Sequence, residues 1–117
     1  MQYLLLIYNC EGQSAEAHET AAIMKEYGAF TRGIIESGHY KGGNALQPVT
    51  TATSVRVRDG KTLLTDGPFA ETAEQLGGYY LIEAANLDDA TAIAARIPGA
   101  RTGTIEVRPI WSVPTGA

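Results

Sequence analysis

The first strand that the sequence predicts, over residues 2–8, is apolar on both of its faces. It contains the run Tyr3-Leu4-Leu5-Leu6-Ile7-Tyr8, and consecutive side chains point to opposite sides of a strand. A strand of this kind is typical of the centre of a sheet that is covered on both faces. Any fold of this chain must therefore supply two covering layers for its sheet.

The first helix is predicted to run from Ser14, a suitable N-cap, to about Ser37. Its buried stripe consists of apolar residues at helical spacing, which are Ile23, Tyr27, Phe30 and Ile34. Gly28 and Gly33 weaken a helix, so we expect another backbone to approach closely at these positions. Gly38 is placed to end the helix in a left-handed conformation.

Further strand signals follow along the chain. They are a short strand near 44–47, an alternating strand at 52–58, a return strand at 61–65, an apolar strand at 78–84 and a last strand at about 103–110. Asp59-Gly60 is a strong signal for a two-residue hairpin turn, and residues 66–77 are expected to form a polar loop. A second helix begins at the cap Asn86 and ends at Pro98-Gly99.

The order strand, long helix, hairpin, strand, helix, strand predicts an α+β fold of the ferredoxin-like split βαβ type with extra strands. Both helices then cover one face of an antiparallel sheet. Because several strands are apolar on both sides, a second copy of the sheet is the expected cover for the other face. The predicted assembly is a homodimer built as a dimeric α+β barrel. Residues 1–112 are expected to form this single domain, and residues 113–117 a flexible tail.

Composition argues against several classes of partner. The chain has 117 residues, a formal net charge of −4 and no Lys/Arg cluster, which disfavours nucleic acid. The apolar start is too short to span a membrane and lacks the flanks of a signal peptide, so we expect a cytoplasmic protein with no membrane partner. The single Cys10 cannot form an internal disulfide, and His18 and His39 lack further ligands at metal spacing. Neither a metal nor a cofactor is expected.

The most informative stretch joins two predicted strands and begins Asp66-Gly67-Pro68-Phe69-Ala70-Glu71. Asp66 lies at a strand end, beside a Gly-Pro turn that fixes the backbone. Phe69 and Tyr79 would shield it partly from water, which suits a general acid or base. The alternative is that Asp66 caps the turn through backbone amides. Glu71 is a candidate ligand-binding residue, or else part of a solvated face.

His39 is the second catalytic candidate, because it follows Gly38 and an imidazole exchanges protons near neutral pH. The alternative is an ordinary loop histidine. Tyr8, Phe69 and Tyr79 are expected to line a cleft for a small-molecule ligand, where a tyrosine hydroxyl can donate a hydrogen bond. Tyr8 and Tyr79 have a second interpretation as core or dimer contacts, which is also the interpretation of Tyr80. The glycine runs Gly42-Gly43 and Gly77-Gly78 match no phosphate-binding spacing and are interpreted as bulges or close packing.

Two motifs carry a resemblance to a known family. Asp66-Gly67-Pro68-Phe69-Ala70-Glu71-Thr72 and Glu74-Gln75-Leu76-Gly77-Gly78-Tyr79-Tyr80 resemble the signature of the DGPF-type proteins of the YCII-related family. The resemblance extends over residues 2–111 and implies a dimeric ferredoxin-like barrel, mostly in bacteria. In the wider family a helix His and a strand-end Asp have been suggested as a catalytic pair. Here the Asp corresponds to Asp66, whereas the helix position falls at Tyr27-Gly28, without a His.

Three functions are open at this point. The first is a small-molecule enzyme in which Asp66 moves a proton inside a dimer cleft. The second is a non-catalytic ligand-binding or regulatory module linked to transcription control, since relatives are sometimes encoded near sigma factors of the extracytoplasmic type. The third, a cofactor-free monooxygenase-like protein, rests on analogy with other dimeric barrels.

Overall fold

A computed structural model describes residues 1–10 and 17–112, and over residues 17–19 it describes the backbone alone. Six strands and two α-helices follow one another as β1 (Gln2–Asn9), α1 (Ala17–Glu36), β2 (Tyr40–Ala45), β3 (Thr53–Arg58), β4 (Lys61–Asp66), β5 (Gln75–Glu83), α2 (Leu87–Ala94) and β6 (Thr104–Pro109). Short 3-10 helices lie at Val49–Thr51 and Pro98–Arg101. The predicted cap at Ser14 and the predicted tail at 113–117 fall outside the described residues.

Four of the strands form one antiparallel sheet in the order β2-β5-β1-β6. β1 lies at its centre, with Leu5 opposite Tyr80 of β5 on one side and opposite Val107 of β6 on the other. In this order the strands of the two halves, β1-α1-β2 and β5-α2-β6, interleave as they do in a ferredoxin-like fold. The predicted α+β class is confirmed.

The two helices cover one face of this sheet. On that face Tyr3, Leu5 and Ile7 of β1 are 2%, 0% and 9% exposed. They form one apolar cluster with Ile34 of α1 and Ile93 of α2. Removing a side chain of this size from water stabilises the fold by about 1.5–3 kcal/mol. This cluster is therefore what holds the helices on the sheet.

The opposite face of the sheet, called here the open face, is apolar and partly exposed. It consists of Leu4, Leu6 and Tyr8 of β1 and Leu76, Tyr79 and Leu81 of β5. Neither α1 nor α2 covers it, because both helices contribute to the cluster on the other side. The sequence prediction that a second copy covers this face stays a prediction.

β3 and β4 form a separate two-stranded hairpin, called here the arm. Asp59 (φ 52°) and Gly60 (φ 74°) both adopt the left-handed region at its tip, which confirms the predicted two-residue turn. Strand alternation gives the arm an apolar face and a more basic one. The apolar face presents Val55, Val57 and Leu64, and the basic face presents Arg56, Arg58, Lys61 and Leu63. Val55 and Leu64 are 61% and 68% exposed.

Two strand boundaries differ from the sequence expectation. β2 spans Tyr40–Ala45 rather than residues near 44–47, because the backbone of Gly42-Gly43 pairs with β5 although these residues supply no apolar alternation. The expected polar loop also shortens to residues 67–74. Asp66 still pairs with Thr53 at one end, and Gln75 already pairs with Asn9 at the other.

Part of the buried apolar stripe that was predicted for α1 is confirmed. Phe30 and Ile34 are buried, whereas Ile23 is 42% exposed. Gly28 and Gly33 do not face another backbone: side-chain atoms of Arg32 and Arg96 lie nearest to the places where their Cβ atoms would be. The expected close backbone approach was therefore wrong at both positions, and a flexible guanidinium fills the space instead.

The predicted end of α1 and the predicted start of α2 are confirmed, whereas α2 ends at Ala94, before the predicted Pro98-Gly99, which opens a separate 3-10 helix. Gly38 has a φ of 82°, the left-handed conformation expected after α1. The Oδ1 atom of Asn86 accepts a hydrogen bond of 2.9 Å from the backbone N–H of Asp89, which caps α2.

Candidate functional site

A cavity of about 440 Å³ lies between α1 and the sheet. Side chains from the helix form one wall, and strands β1, β2 and β5 form the other wall and the floor. The principal lining residues are Met24, Tyr27 and Thr31 of α1, with Ile7, Tyr40, Gly43, Gly78 and Tyr80 from the sheet. A volume of this size and a mostly apolar lining with a few polar groups are typical of small-molecule sites.

The floor of the cavity is bare backbone at two neighbouring glycines. A Cβ atom added to Gly43 would lie 2.9 Å from the carbonyl oxygen of Tyr79 and 2.9 Å from Cδ1 of Tyr80. A Cβ atom added to Gly78 would lie 3.0 Å from the carbonyl oxygen of Asn44. Tight contact with backbone atoms leaves little room for a side chain at either position. Glycine at these two positions is therefore a requirement of the strand pairing.

Hydroxyl groups from α1 and β5 meet at the wall of this cavity. The Thr31 hydroxyl donates to the carbonyl oxygen of Tyr27 at 2.8 Å. The same hydroxyl oxygen lies 2.7 Å from the hydroxyl of Tyr80. Tyr80 also packs edge-on against Phe30, with ring centroids 5.3 Å apart, which fixes the ring beneath the helix.

Tyr27 reaches from α1 toward the chain before β6. Its hydroxyl oxygen accepts a hydrogen bond of 3.1 Å from the backbone N–H of Gly99. Burial raises the pKa of Tyr27, and the nearby Tyr80 raises it further, although the Gly99 hydrogen bond and Arg101 act in the opposite direction. Tyr27 therefore presents a neutral phenol to the cavity at physiological pH.

Asp66 lies outside this cavity, at the end of the arm. Its neighbour Gly67 fixes the turn, because the Gly67 N–H donates to the Ala52 carbonyl at 2.6 Å and the Ser54 hydroxyl donates to the Gly67 carbonyl at 2.9 Å. The Asp66 carboxylate is exposed and accepts no hydrogen bond from the described residues. Phe69 is 79% exposed. The described residues of one subunit therefore form no cleft around Asp66.

Tyr8 and Tyr79 lie together on the open face, whereas Phe69 and the exposed Glu71 lie in the loop after the arm. The Tyr79 hydroxyl accepts a hydrogen bond of 2.9 Å from the amide of Asn44. Partial burial and the carboxylate of Glu106 raise the pKa of Tyr8. Tyr79 belongs to the strand that floors the cavity, but the alternation of β5 places its ring on the other side. The four predicted ligand residues thus form no single site within one subunit.

His39 occupies the far end of the sheet from the Asp66 loop. Its carbonyl oxygen accepts a hydrogen bond from the N–H of Glu83, the last residue of β5, while the loop that follows Asp66 enters β5 at Gln75. Its ring lies 2.6 Å from the Ser37 hydroxyl and 3.6 Å from the carboxylate of Asp89. The structure does not bring His39 and Asp66 together.

Among the described residues that line the cavity, Tyr79 was a ligand candidate from the sequence, and the others were not chosen as a site. Tyr27 was assigned to the buried stripe of α1, and Tyr80 to core or dimer contacts. The available signal was the pair of glycine runs, Gly42-Gly43 and Gly77-Gly78, which were interpreted as bulges or close packing. That interpretation is confirmed by register shifts beside both runs. The glycines that this close packing requires also leave part of the cavity floor without side chains.

Neither a metal centre nor a membrane span emerges from the part of the chain that the structure describes. Residues 1–10 and 17–112 contain no group of three potential metal-ligating side chains. No helix within those ranges is long and apolar enough to cross a bilayer.

Comparison with known proteins agrees with the motifs. A family model described as the YCII-related domain matches residues 1–114. An uncharacterized protein, R00369 of Rhizobium meliloti (strain 1021), is 40% identical over 114 residues, which cover 94% of this chain and 92% of the relative. The similarity extends across both the cavity and the Asp66 loop.

Proposed function

The chain belongs to the YCII-related family, and from that premise we propose that it binds a small organic molecule in the cavity between α1 and the sheet. The observation that carries this proposal is the glycine floor. Gly43 and Gly78 come from different strands and are 35 residues apart in sequence. Both line the cavity, and neither places a side chain on its floor. A side chain at either position would collide with atoms of the neighbouring strand.

Binding in this cavity has a straightforward driving force. A ligand would bury the apolar surface of Ile7, Met24 and Tyr40, and each Å² removed from water contributes about 25 cal/mol. The hydroxyls of Tyr27 and Tyr80 would supply orientation, since a few polar groups in an apolar site fix the position of a ligand. The proposal corresponds to the ligand-binding alternative from the sequence and requires no reaction.

The binding proposal is tested by filling the cavity. Ala45 lines the cavity and is opposite Gly78 in the strand ladder, so Ala45→Phe would place a ring over the glycine floor. Ala92→Phe, on the exposed side of α2, adds the same ring elsewhere. A thermal-shift screen with a fragment library should give hits for the wild type and the Ala92 variant but not for the Ala45 variant. Hits that bind both variants equally would place the ligand elsewhere and refute the proposal.

We further propose that the protein works as a homodimer. Two apolar surfaces support this: the open face, which neither helix covers, and the apolar face of the arm. A two-stranded hairpin alone is marginally stable in water, so exposed Val55 and Leu64 call for a covering surface. The arm carries Arg56, Arg58 and Lys61, whereas the chain as a whole has a net charge of −4, which gives the arm an electrostatic reason to approach a second copy.

Acid–base catalysis by Asp66 depends on this assembly. Since Asp66 is exposed in one subunit, only a second copy could enclose it together with Phe69. An enzyme that uses Asp66 therefore stays a prediction that follows from the dimer. A role in transcription control also stays a prediction, and it rests on the family resemblance alone.

A further inference from the structure

The hydrogen bonds at the cavity wall fix which groups are free for a ligand. Thr31 has one hydroxyl proton, and it is directed to the Tyr27 carbonyl, an acceptor that has no proton to give. The contact of 2.7 Å between the Thr31 and Tyr80 hydroxyls therefore uses the proton of Tyr80. The Tyr80 oxygen is left with a free lone pair. At this point the wall offers an acceptor.

Tyr27 differs from Tyr80, because the free group of its hydroxyl is a donor and not an acceptor. Its oxygen accepts from the Gly99 N–H, and its own proton has no acceptor among the described residues. Tyr27 is partly buried, so a ligand acceptor can bond this proton where the described residues offer no acceptor. Of the hydroxyls of Thr31, Tyr27 and Tyr80, that of Tyr27 thus keeps a free donor and that of Tyr80 a free acceptor.

The lining offers nothing to an anion. None of its described residues is a Lys, Arg or His. A carboxylate or phosphate in an apolar site without a cation would lose its hydration with little compensation.

We propose that the ligand is a neutral, mainly apolar alcohol or phenol, whose hydroxyl accepts from Tyr27 and donates to Tyr80. A hydroxyl both accepts and donates a hydrogen bond, so it matches the free donor of Tyr27 and the free acceptor of Tyr80 in kind. This inference rests on the proposed binding function and narrows it to a chemical class.

Three probes of the same ring size separate the alternatives: 2-naphthol, naphthalene and 2-naphthoate. Their binding is followed at pH 7 by naphthyl fluorescence. We expect 2-naphthol to bind about 3- to 10-fold more tightly than naphthalene, as one or two hydrogen bonds would allow, and at least tenfold more tightly than 2-naphthoate. Tyr27→Phe and Tyr80→Phe should each reduce the advantage of naphthol over naphthalene while leaving naphthalene binding within about twofold, which also shows that both variants remain folded.

The outcomes separate this class assignment from the binding proposal itself. If naphthalene and 2-naphthol bind the wild type equally, or if 2-naphthoate binds best, the hydroxyl class is wrong although the cavity still binds ligands. If none of the three probes binds, or if Ala45→Phe binds them as the wild type does, the cavity is not the site and both proposals fall.

Discussion

The two faces of the central sheet are built from the same strand and differ in what covers them. On β1, Leu5 is fully buried beneath the helices, while its neighbour Leu4 is partly exposed on the open face. Side chains of equal size thus have different environments only because alternate residues point to opposite sides. The composition of a strand therefore indicates how many faces of the sheet must be buried. The topology determines how many of these faces one chain can bury by itself.

The sheet face that the helices cover also contains the cavity. A helix can therefore cover a face of the sheet without packing closely against all of it. Near Phe30 and Ile34 the helix packs directly on β1 and β5. Near Tyr27 the strands present Gly43 and Gly78, and α1 spans a gap. A single helix thus contributes both to the core and to the proposed binding site.

The largest expected effect comes from truncation on the covered face. Leu5→Ala should lower the free energy of unfolding by about 2–5 kcal/mol, because it leaves a cavity in the packed core. Leu4→Ala is the matched control on the same strand. Its effect should be smaller in dilute solution and should grow with protein concentration, since a second copy supplies its cover. Urea unfolding at two protein concentrations measures both. Equal losses at every concentration would mean that the faces do not differ in this way.

The sequence predicted the covered face better than the cavity on it. The run from Tyr3 to Tyr8, the turn at Asp59-Gly60 and the cap at Asn86 are local patterns, and each appears in the structure where it was expected. β2 was misplaced because pairing through Gly42-Gly43 depends on backbone geometry that no side-chain pattern reports.

The candidate site could not be predicted from the sequence for a related reason. The cavity is lined by Gly43 and Gly78, which lie on two paired strands and are 35 positions apart, and by the contact between Thr31 and Tyr80, which are 49 positions apart. A single sequence gives the type of each residue but not these pairings. The sequence therefore directed attention to Asp66, whose motif is contiguous, and away from hydroxyls that come together only in the fold.

The next effect concerns the open face and the proposed homodimer. Leu6→Lys would place like charges where two copies meet, which costs several kcal/mol. We expect the dissociation constant of the dimer to rise by about 100-fold or more, with the subunit fold intact by circular dichroism. Ala92→Lys, on the exposed side of α2, should leave the assembly unchanged. Sedimentation equilibrium measures both variants, and a wild type that sediments as a single subunit at high concentration would count against the dimer.

A smaller effect is expected from the arm, where adjacent leucines point to opposite faces. Leu64→Ser removes an apolar group from the face with Val55, and it should weaken the dimer by about 3- to 10-fold, in proportion to the apolar area lost. Leu63→Ser makes the same change on the face with Arg56 and should have less effect. The same sedimentation experiment compares them. Equal weakening by both variants would show that the arm has no preferred contact face.

The smallest effect concerns an ion pair at the edge of the covered face. The carboxylate of Glu26 on α1 bonds the guanidinium of Arg101, just before β6, with oxygen and nitrogen 2.5 Å apart. This hydrogen bond lowers the pKa of Glu26 below its ordinary value of 4.5. The pair therefore stabilises the fold above pH 4.5, and this contribution is lost as the pH falls through the lowered pKa of the folded state.

Glu26→Gln should thus reduce stability slightly at pH 7 and not at all in strong acid, where the wild-type carboxyl is protonated. Because both side chains are exposed, 1 M NaCl should also shrink the difference at pH 7. Urea unfolding of the two proteins at both pH values and both salt concentrations measures this. A difference that persists in acid would arise from the packing of residue 26 and not from its charge, and the ion pair would then have no part in holding α1 over the sheet.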